Sequence, residues 1–399
     1  MEDNFVALDI GSSRVSAIMA KSSFGKIQVS AVTSSACDGV SKSVISNADK
    51  TKDAVLACKK KLESISGKTV NSAYISIPSG LCRVIKYKGT MFLSENKVSV
   101  SQQDIIDFVR KAKNLDVDED DEIVDIIPTK VIIGNDNTSS HYSFGKHKVE
   151  VEAEVLTADK FVLIDLLKSV ENAGIEIIRV IAAPLALDAL ISGDKDEGNT
   201  NAFVDIGSET IDISIVKDKN IYYNEIIPLG GNNITSDIAN CLNITFEKAE
   251  KLKISQSGDS NVLVFDDEEE KPFNIDLLGE IVDARVEELI SISIKSLKKS
   301  DKYNDIKDIY FTGRGIESYM ESLKAYEDKL KKNIKVLKVN NSKVNSSIYY
   351  IPTGIVKFVG KEFEYEGDPL ESSVSKDEVL KENKSFVSKI KHYFDDLFK

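Results

Sequence analysis

Two aspartates, Asp9 and Asp205, each end a run of β-branched and apolar residues, and each is followed by Ile-Gly-Ser: VALDIGSSRVSAIM over residues 6–19 and FVDIGSETIDISIV over residues 203–216. In both places a second run follows in which apolar residues alternate with polar ones, the pattern of a strand, a tight turn and a returning strand. Glycine at 11 and 207 permits a sharp bend and leaves room for another group to approach the backbone N–H donors, which suits phosphate. One Asp-x-Gly between strands is a common hairpin and carries no chemistry of its own. Two copies imply a duplicated domain whose turns face each other across a cleft and grip one polyphosphate. Asp9 and Asp205 then hold the waters of a magnesium ion, which takes a few carboxylates and keeps part of its hydration shell. No GxxxxGK[ST] run is present, so the P-loop is not the rival.

The elements that must position these turns can be read along the chain. Strands over 6–10, 15–20, 27–36 and 73–77 surround a helix over 52–65, whose Ala54, Val55, Leu62 and Ile65 keep helical spacing, so the first turn belongs to an α/β unit. From Cys82 to about Leu156 the texture changes to strands with one helix, 103–112, followed by the acidic turn DVDEDDE; this reads as an inserted small domain. Helix resumes over 160–172, stopped by Gly174, and a short apolar helix follows Pro184. The second half opens on the repeated hairpin and runs through IPLGGNNITSDIA into helices over 245–254 and 275–297, with DDEEEK between them as a solvated loop. A strand over 309–312 leads into the glycine turn TGRGI and another helix, and IYYIPTGIVKFV closes the globular part.

A chain of 399 residues is too long for one core and predicts several domains. With 42% hydrophobic and 29% charged residues it has the composition of an ordinary soluble protein, and a net charge of −13 argues against a nucleic-acid partner, which needs a basic face. Cys37, Cys58, Cys82 and Cys241 are scattered without a CxxC, as are the three histidines, so neither a zinc site nor a disulfide frame is expected and a reducing cytoplasm fits. No signal segment or membrane-spanning run is expected. After Glu364, EYEGDPLESSVSKDEVLKENK cannot bury enough apolar surface to fold alone and reads as a linker with a reach of roughly 25 Å. The segment SFVSKIKHYFDDLFK then places Phe386, Val387, Ile390, Phe394, Leu397 and Phe398 on one helical face. The alternative is a helix docked on the protein's own core. The polar tether, the phenylalanines and an excess of lysine over aspartate favour a helix lying on an anionic bilayer, held reversibly and strengthened by assembly.

The motifs LDIGSSRVSAIM, SAYISIPSG, IIPTKV, IAAPLALDAL, IPLGGNNITSDIA, KAEKLK, IVDARVEELI and IYFTGRGI, in that order and followed by an amphipathic helix, resemble the actin, Hsp70 and sugar-kinase ATPase superfamily and, within it, the FtsA family of bacterial cell-division proteins. The resemblance covers essentially the whole chain. It implies an α/β, actin-like (ribonuclease H-like, duplicated) two-lobed fold with an inserted subdomain 1C and a C-terminal amphipathic helix. The implied parts are 1A at 1–82 and 160–199 with a return at 349–363, 1C at 83–159, 2A at 200–227 and 305–348, 2B at 228–304, a linker at 364–384 and a membrane helix at 385–399. It further implies ATP and Mg2+ between the lobes, self-association into filaments, capture of the FtsZ C-terminal peptide, later division proteins on 1C, and a place on the cytoplasmic face of the cell membrane at the division site. Carried over by motif, Asp9, Gly11, Ser12, Ser13 and Arg14 form the first phosphate loop and Asp205, Gly207, Ser208 and Thr210 the second, with Asp9 and Asp205 toward the metal. Gly230 adjoins them, Gly313, Arg314 and Gly315 back the adenosine, and Glu250 with Lys253 holds ribose or adenine. Asn232, Asn233, Ser236 and Arg285 are the candidates to receive the acidic FtsZ tail.

The chain departs from that pattern at two points. Many actin-like ATPases have GGG-T in the second loop, where this chain has Ser208-Glu209. A carboxylate facing a phosphate at about 4 Å would oppose it by roughly 4 kcal/mol per unit charge at an effective dielectric near 20, so either Glu209 points away or bound nucleotide is held weakly. Arg314 stands where a second glycine is usual, and no residue is evident to position an attacking water, so hydrolysis is expected to be slow or absent. Two alternatives stay open: a small-molecule kinase of the same superfold, and an actin-like scaffold of another envelope machine such as the pilus protein PilM.

Overall fold

The computed structural model describes residues 3–23, 26–92, 100–112, 115–135, 147–191, 198–256, 275–317, 330–339 and 341–366, with residues 319, 323, 326 and 327 between them. The expected membrane helix (Phe386, Val387, Ile390, Phe394, Leu397, Phe398), most of the linker and the DDEEEK loop lie outside the described residues.

The duplication read from the two hairpins extends to whole sheets. β1 (Asp3–Ile10), β2 (Arg14–Ser23) and β3 (Lys26–Ala36) run antiparallel, while β6 (Ser72–Ile77) and β10 (Glu176–Ala182) add in parallel on the other side of β1, giving the order β10-β6-β1-β2-β3. The second sheet repeats this arrangement as β13-β12-β11-β14-β15, built from β11 (Asn201–Ile206), β12 (Ile211–Lys217), β13 (Asn220–Ile227), β14 (Asp308–Thr312) and β15 (Asn333–Val336). The central strands β1 and β11 are covered on both faces, which is why they read as near-continuous apolar runs instead of alternating ones. Leu8 and Ala7 of β1 and Phe203 and Val204 of β11 are buried.

Between β3 and β6 lie a two-rung ladder, β4 (Val40–Ser41) with β5 (Val44–Ile45), and the helix α1 (Ala48–Ser66). The helix begins four residues before the periodicity indicated, because Asn47 caps it by accepting Lys50 N–H and its polar first turn carries no apolar signal. Gly67, with φ 67°, ends it in the left-handed conformation.

A third, antiparallel sheet, β7-β9-β8, is formed by β7 (Cys82–Phe92), β8 (Asp121–Asn135) and β9 (His147–Asp159), with α2 (Gln102–Arg110) across it. Tyr87, Ile105, Val109, Ile126, Val149, Val151, Ala153 and Val155 give it a small core of its own. An ion pair fastens it to the first lobe: Arg179 of β10, half-buried, donates through Nε and Nη2 to both oxygens of the buried Asp125, and its guanidinium lies 5.6 Å from the ring centre of Phe358. Arg179→Met is expected to remove the bidentate partner of the buried Asp125 carboxylate, which keeps the Ile126 N–H bond, and to lower stability by about 2–4 kcal/mol. Adding Asp125→Leu should recover most of that loss; urea denaturation of the two variants is the check.

The lobes are completed by α3 (Lys160–Glu171) and α4 (Ala183–Ile191) in the first, and by α5 (Gly231–Leu242), α6 (Phe246–Gln256) and α7 (Ile275–Leu297) in the second. The α5 helix replaces what the sequence offered only as a run leading to later helices. Ile234 and Ile238 form its buried stripe, but its opening Gly-Asn-Asn hides its start. The last helix, α8 (Tyr350–Glu366), packs on α4 and on the first sheet and continues past Glu364, where the linker was expected to begin.

Candidate functional site

The two glycine turns close in the same way. Gly11 N–H donates to Arg14 O, and Gly207 N–H to Thr210 O, each at 2.9 Å. This corrects one expectation: the glycines' own N–H groups are used inside the turns, and the glycines leave space without supplying a donor to an incoming group. The tips do face each other, because one residue touches both. Ser43 N–H donates to Ser12 Oγ at 3.4 Å, and Ser43 Oγ shares a hydrogen bond with Thr210 Oγ1 at 2.8 Å.

Behind the turns the carboxylates converge. Asp9 Oδ1 accepts from Ser76 Oγ at 2.5 Å, and burial pushes its carboxyl up despite that bond. Burial pushes Asp205 up to about 7, with the charges of Asp9 and Asp212 adding to it. Asp212 was not singled out in the sequence, where it is one polar residue in an alternating strand. The fold turns it toward the other lobe, where its oxygens accept from Ser79 N–H at 3.0 Å, Ser79 Oγ at 3.3 Å and Gly80 N–H at 3.3 Å; burial holds it at about 6. Asn224 of β13 donates to Ser79 O and Cys82 O, so the turn after β6 is clamped by the second lobe. Crowded acids whose charges oppose one another are a fit for a hydrated divalent cation. No ready-made cage of three or more ligands exists among the described residues.

The remaining predicted positions gather on the second-lobe side. Gly231 N–H donates to Gly207 O at 2.9 Å, Asn232 N–H to Ser208 O at 2.8 Å, and Gly315 N–H to Ile206 O at 2.8 Å. These backbones touch so closely that side chains are excluded: a Cβ on Gly230 would lie 2.7 Å from Gly207 O, one on Gly315 2.3 Å from Gly207 O, and one on Gly313, at φ 97°, 2.3 Å from Asp205 Oδ1. Lys253 is buried, and its Nζ donates to Gly231 O at 3.2 Å and Thr235 Oγ1 at 2.7 Å while pairing with Glu250 at 2.6 Å. Burial lowers its pKa, the Glu250 bond opposes that, and the nearby charge of Arg314 lowers it further. The glycine turns and the Glu250–Lys253 pair are thus joined by hydrogen bonds into one wall, with the carboxylates of Asp9 and Asp205 at the ends of the strands that lead into the turns. A cavity of about 170 Å³ adjoins the TGRGI turn, lined by Thr312, Glu317, Leu337, Lys338, Ser347 and Tyr350 among others.

The positions expected to receive an acidic peptide cluster on α5 and α7, with most of their polar groups already engaged. Asn233 Oδ1 accepts Gly230 N–H at 2.8 Å and so caps α5. Arg285 is paired with Asp237, its Nη2 lying 2.9 Å from Oδ1, and also with Glu288. Asn232 and Ser236 are half-buried on α5.

A model of the family described as Cell division protein FtsA matches residues 202–362. The chain is 26% identical over 375 residues to a Cell division protein FtsA of Bacillus subtilis (strain 168), covering 91% of this chain and 85% of that one. It is 24% identical over 366 residues to the protein of the same name in Enterococcus faecalis (strain ATCC 700802 / V583), covering 89% and 83%. Among solved structures, a PilM-PilN type IV pilus biogenesis complex matches with a TM-score of 0.60 at 13% identity, covering 90% of this chain and 98% of that one. MreB 5 of Spiroplasma citri bound to AMPPNP matches with 0.52 at 13% identity, covering 91% and 98%. The structural matches establish the actin-like, two-lobed fold. The sequence likeness, carried across nearly the full chain by relatives of one description, narrows the comparison within that fold: the chain is similar to the FtsA cell-division proteins, and the family's own model matches its second half.

Proposed function

We propose that this chain is an ATP-binding, actin-like cell-division protein that polymerises and ties FtsZ filaments to the cytoplasmic membrane through its C-terminal amphipathic segment. The observation that carries the nucleotide part is the continuity of the wall: the two glycine turns bridged by Ser43, the carboxylates behind them, and the Gly230, Gly313 and Gly315 backbones stacked on the second turn beside Glu250 and Lys253. In this reading the Ser12, Ser13, Arg14, Ser208 and Thr210 positions meet the phosphates. The Gly313–Gly315 backbone forms the floor under the nucleoside, where Arg314 narrows the space, and Lys253 with Glu250 takes the sugar or base edge. Asp9 and Asp205 would hold magnesium, which would supply positive charge to offset that of the phosphates. Membrane anchoring is supported by the apolar face of residues 385–399, and FtsZ capture by Asn232, Asn233, Ser236 and Arg285, with Arg285 exchanging its Asp237 partner for a peptide carboxylate.

The test is co-sedimentation of the full chain with phosphatidylglycerol-containing vesicles, with ATP and a fluorescent FtsZ C-terminal peptide. The full chain is expected to pellet with lipid and carry the peptide down. Removal of residues 385–399 should cut pelleting at least tenfold while leaving peptide and nucleotide binding intact. Unchanged lipid binding on truncation, or none in the full chain, would reject the membrane tether. The likeness to the PilM-PilN structure keeps a pilus-type scaffold as the second reading, and failure to bind the FtsZ peptide would favour it.

A further inference from the structure

The turn between β4 and β5 has a shape that its own residues do not favour. Lys42 and Ser43 both have left-handed backbone, with φ 48° and 65°, in a two-residue hairpin where glycine or asparagine is usual. A ladder of only two residue pairs is too short to impose such a turn. Its foot is fixed: Gly39 O accepts N–H from Ser46 and Asn47 at 2.9 Å, and a Cβ on Gly39 would lie 2.3 Å from Thr51 Oγ1, so the hairpin stands directly on α1. Its tip is held by the two phosphate-type turns. Lys42 N–H donates to Glu209 Oε2 at 2.7 Å, Ser43 N–H to Ser12 Oγ, and Ser43 Oγ bonds with Thr210 Oγ1. One turn of the first lobe therefore touches the tip of its own glycine turn and, across the cleft, the tip of the other lobe's.

From these contacts we infer that the Lys42–Ser43 turn is a clasp over the phosphate cleft and that Glu209 is the positioning residue that keeps it shut. The inference rests on the nucleotide-binding reading above. It explains a residue that is otherwise unfavourable there: Glu209 would repel a phosphate, yet its oxygen is committed to a backbone N–H of the opposite lobe. A polyphosphate lodged between the turns leaves once these bonds open. The clasp and simple electrostatics then predict opposite signs. Removing a carboxylate near phosphate should by charge alone slow release, whereas removing the clasp's anchor should hasten it.

The experiment uses the full-length protein with magnesium and the fluorescent probe mant-ATP, with release followed by stopped-flow chase, alongside hydrogen–deuterium exchange of the ligand-free protein. A hydrogen bond with a charged acceptor is worth enough that Glu209→Ala should speed mant-ATP release about tenfold. The same variant should quicken exchange in the peptide covering residues 40–46. Glu209→Gln keeps an oxygen for the Lys42 N–H without the charge, so release should equal that of the wild type or be slower, with exchange over 40–46 unchanged. Release that is unchanged or slower in Glu209→Ala overturns the clasp. Failure of the wild type to bind mant-ATP saturably removes the nucleotide reading itself. That outcome is separable, because exchange reads the Glu209–Lys42 contact without ligand, and unchanged exchange in Glu209→Ala overturns the clasp in either case.

Discussion

Gly354→Val is expected to unfold the first lobe. Gly354 lies in α8 where that helix crosses α4, and a Cβ added there would sit 2.0 Å from the carbonyl oxygen of Ala186 and 2.4 Å from its carbon. Both are backbone atoms, so no side chain can swing aside, and the two helices must separate. Overpacking of this kind costs about 3 kcal/mol for a single methyl, and valine adds two more carbons. α8 also covers the first sheet: Ile355, Val356, Phe358 and Val359 are buried in the same core as Leu8, Ile75 and Ile77. Gly354→Ala should lower the thermal midpoint by roughly 6–12 °C, and Gly354→Val should leave mostly insoluble protein. Gly279 of α7 is the matched control, since a Cβ there meets nothing within 4 Å. Gly279→Ala should stabilise by roughly 0.5–1 kcal/mol through helix propensity alone. Scanning calorimetry of the three variants is the measurement, and equal midpoints for Gly354→Ala and the wild type would contradict the close helix crossing.

Asp205→Asn is expected to stabilise the ligand-free protein at pH 8 while weakening its hold on magnesium nucleotide by about tenfold or more. Burial, Asp9 and Asp212 raise the Asp205 carboxyl from its ordinary 3.8 to about 7. A group raised on folding contributes stability that is fully present below its unfolded pKa and is lost as pH rises through its folded one. The ligand-free wild type should therefore lose stability between pH 4 and about 7, at up to about 1.4 kcal/mol per pH unit from this one group. Solvent reaching the half-buried carboxylate reduces that slope. Asparagine removes the Asp205 contribution, leaving those of Asp9, raised by burial, of Asp212, raised to about 6, and of Glu154, raised to about 7 by burial in β9. Magnesium should reverse the wild-type trend. A cation competes with the proton for the same oxygens, so Mg2+-dependent nucleotide affinity should increase from pH 6 to 8 in the wild type and increase less in Asp205→Asn, where Asp9 alone still exchanges its proton for the metal. Thermal melts with and without Mg2+ and ATP, at pH 6 and 8, are the check. A wild type whose ligand-free stability rises with pH over that range would contradict the convergence of carboxylates.

Elements governed by short-range pattern were legible in the amino-acid order. The helix expected over 275–297 is observed as Ile275–Leu297, since Leu278, Val282, Val286, Leu289 and Ile290 recur on one buried face. The strand–turn–strand pairs around Gly11 and Gly207 follow from alternation and bend chemistry that repeat almost residue for residue. Other features escaped because their causes are not local. The start of α5 depends on Asn233 folding back onto Gly230 and on Gly231 leaning on Gly207, neither of which leaves an apolar period. Arg285 reads as an open cation until α7 is laid against α5 and Asp237 meets it.

The sequence by itself determined that the chain holds two copies of one α/β unit, each ending a central strand in Asp and turning on Ile-Gly-Ser, because strand alternation and turn preference act over a few residues. Only the tertiary structure decided that Asp212 answers Ser79 across the lobes, that Ser43 bridges Ser12 and Thr210, and that Glu209 serves the opposite lobe's backbone. Those bonds join residues 31 to 167 positions apart. A hydrogen bond depends on where two atoms sit in space, and nothing in the spacing of residues along the chain encodes that until both sheets have been packed.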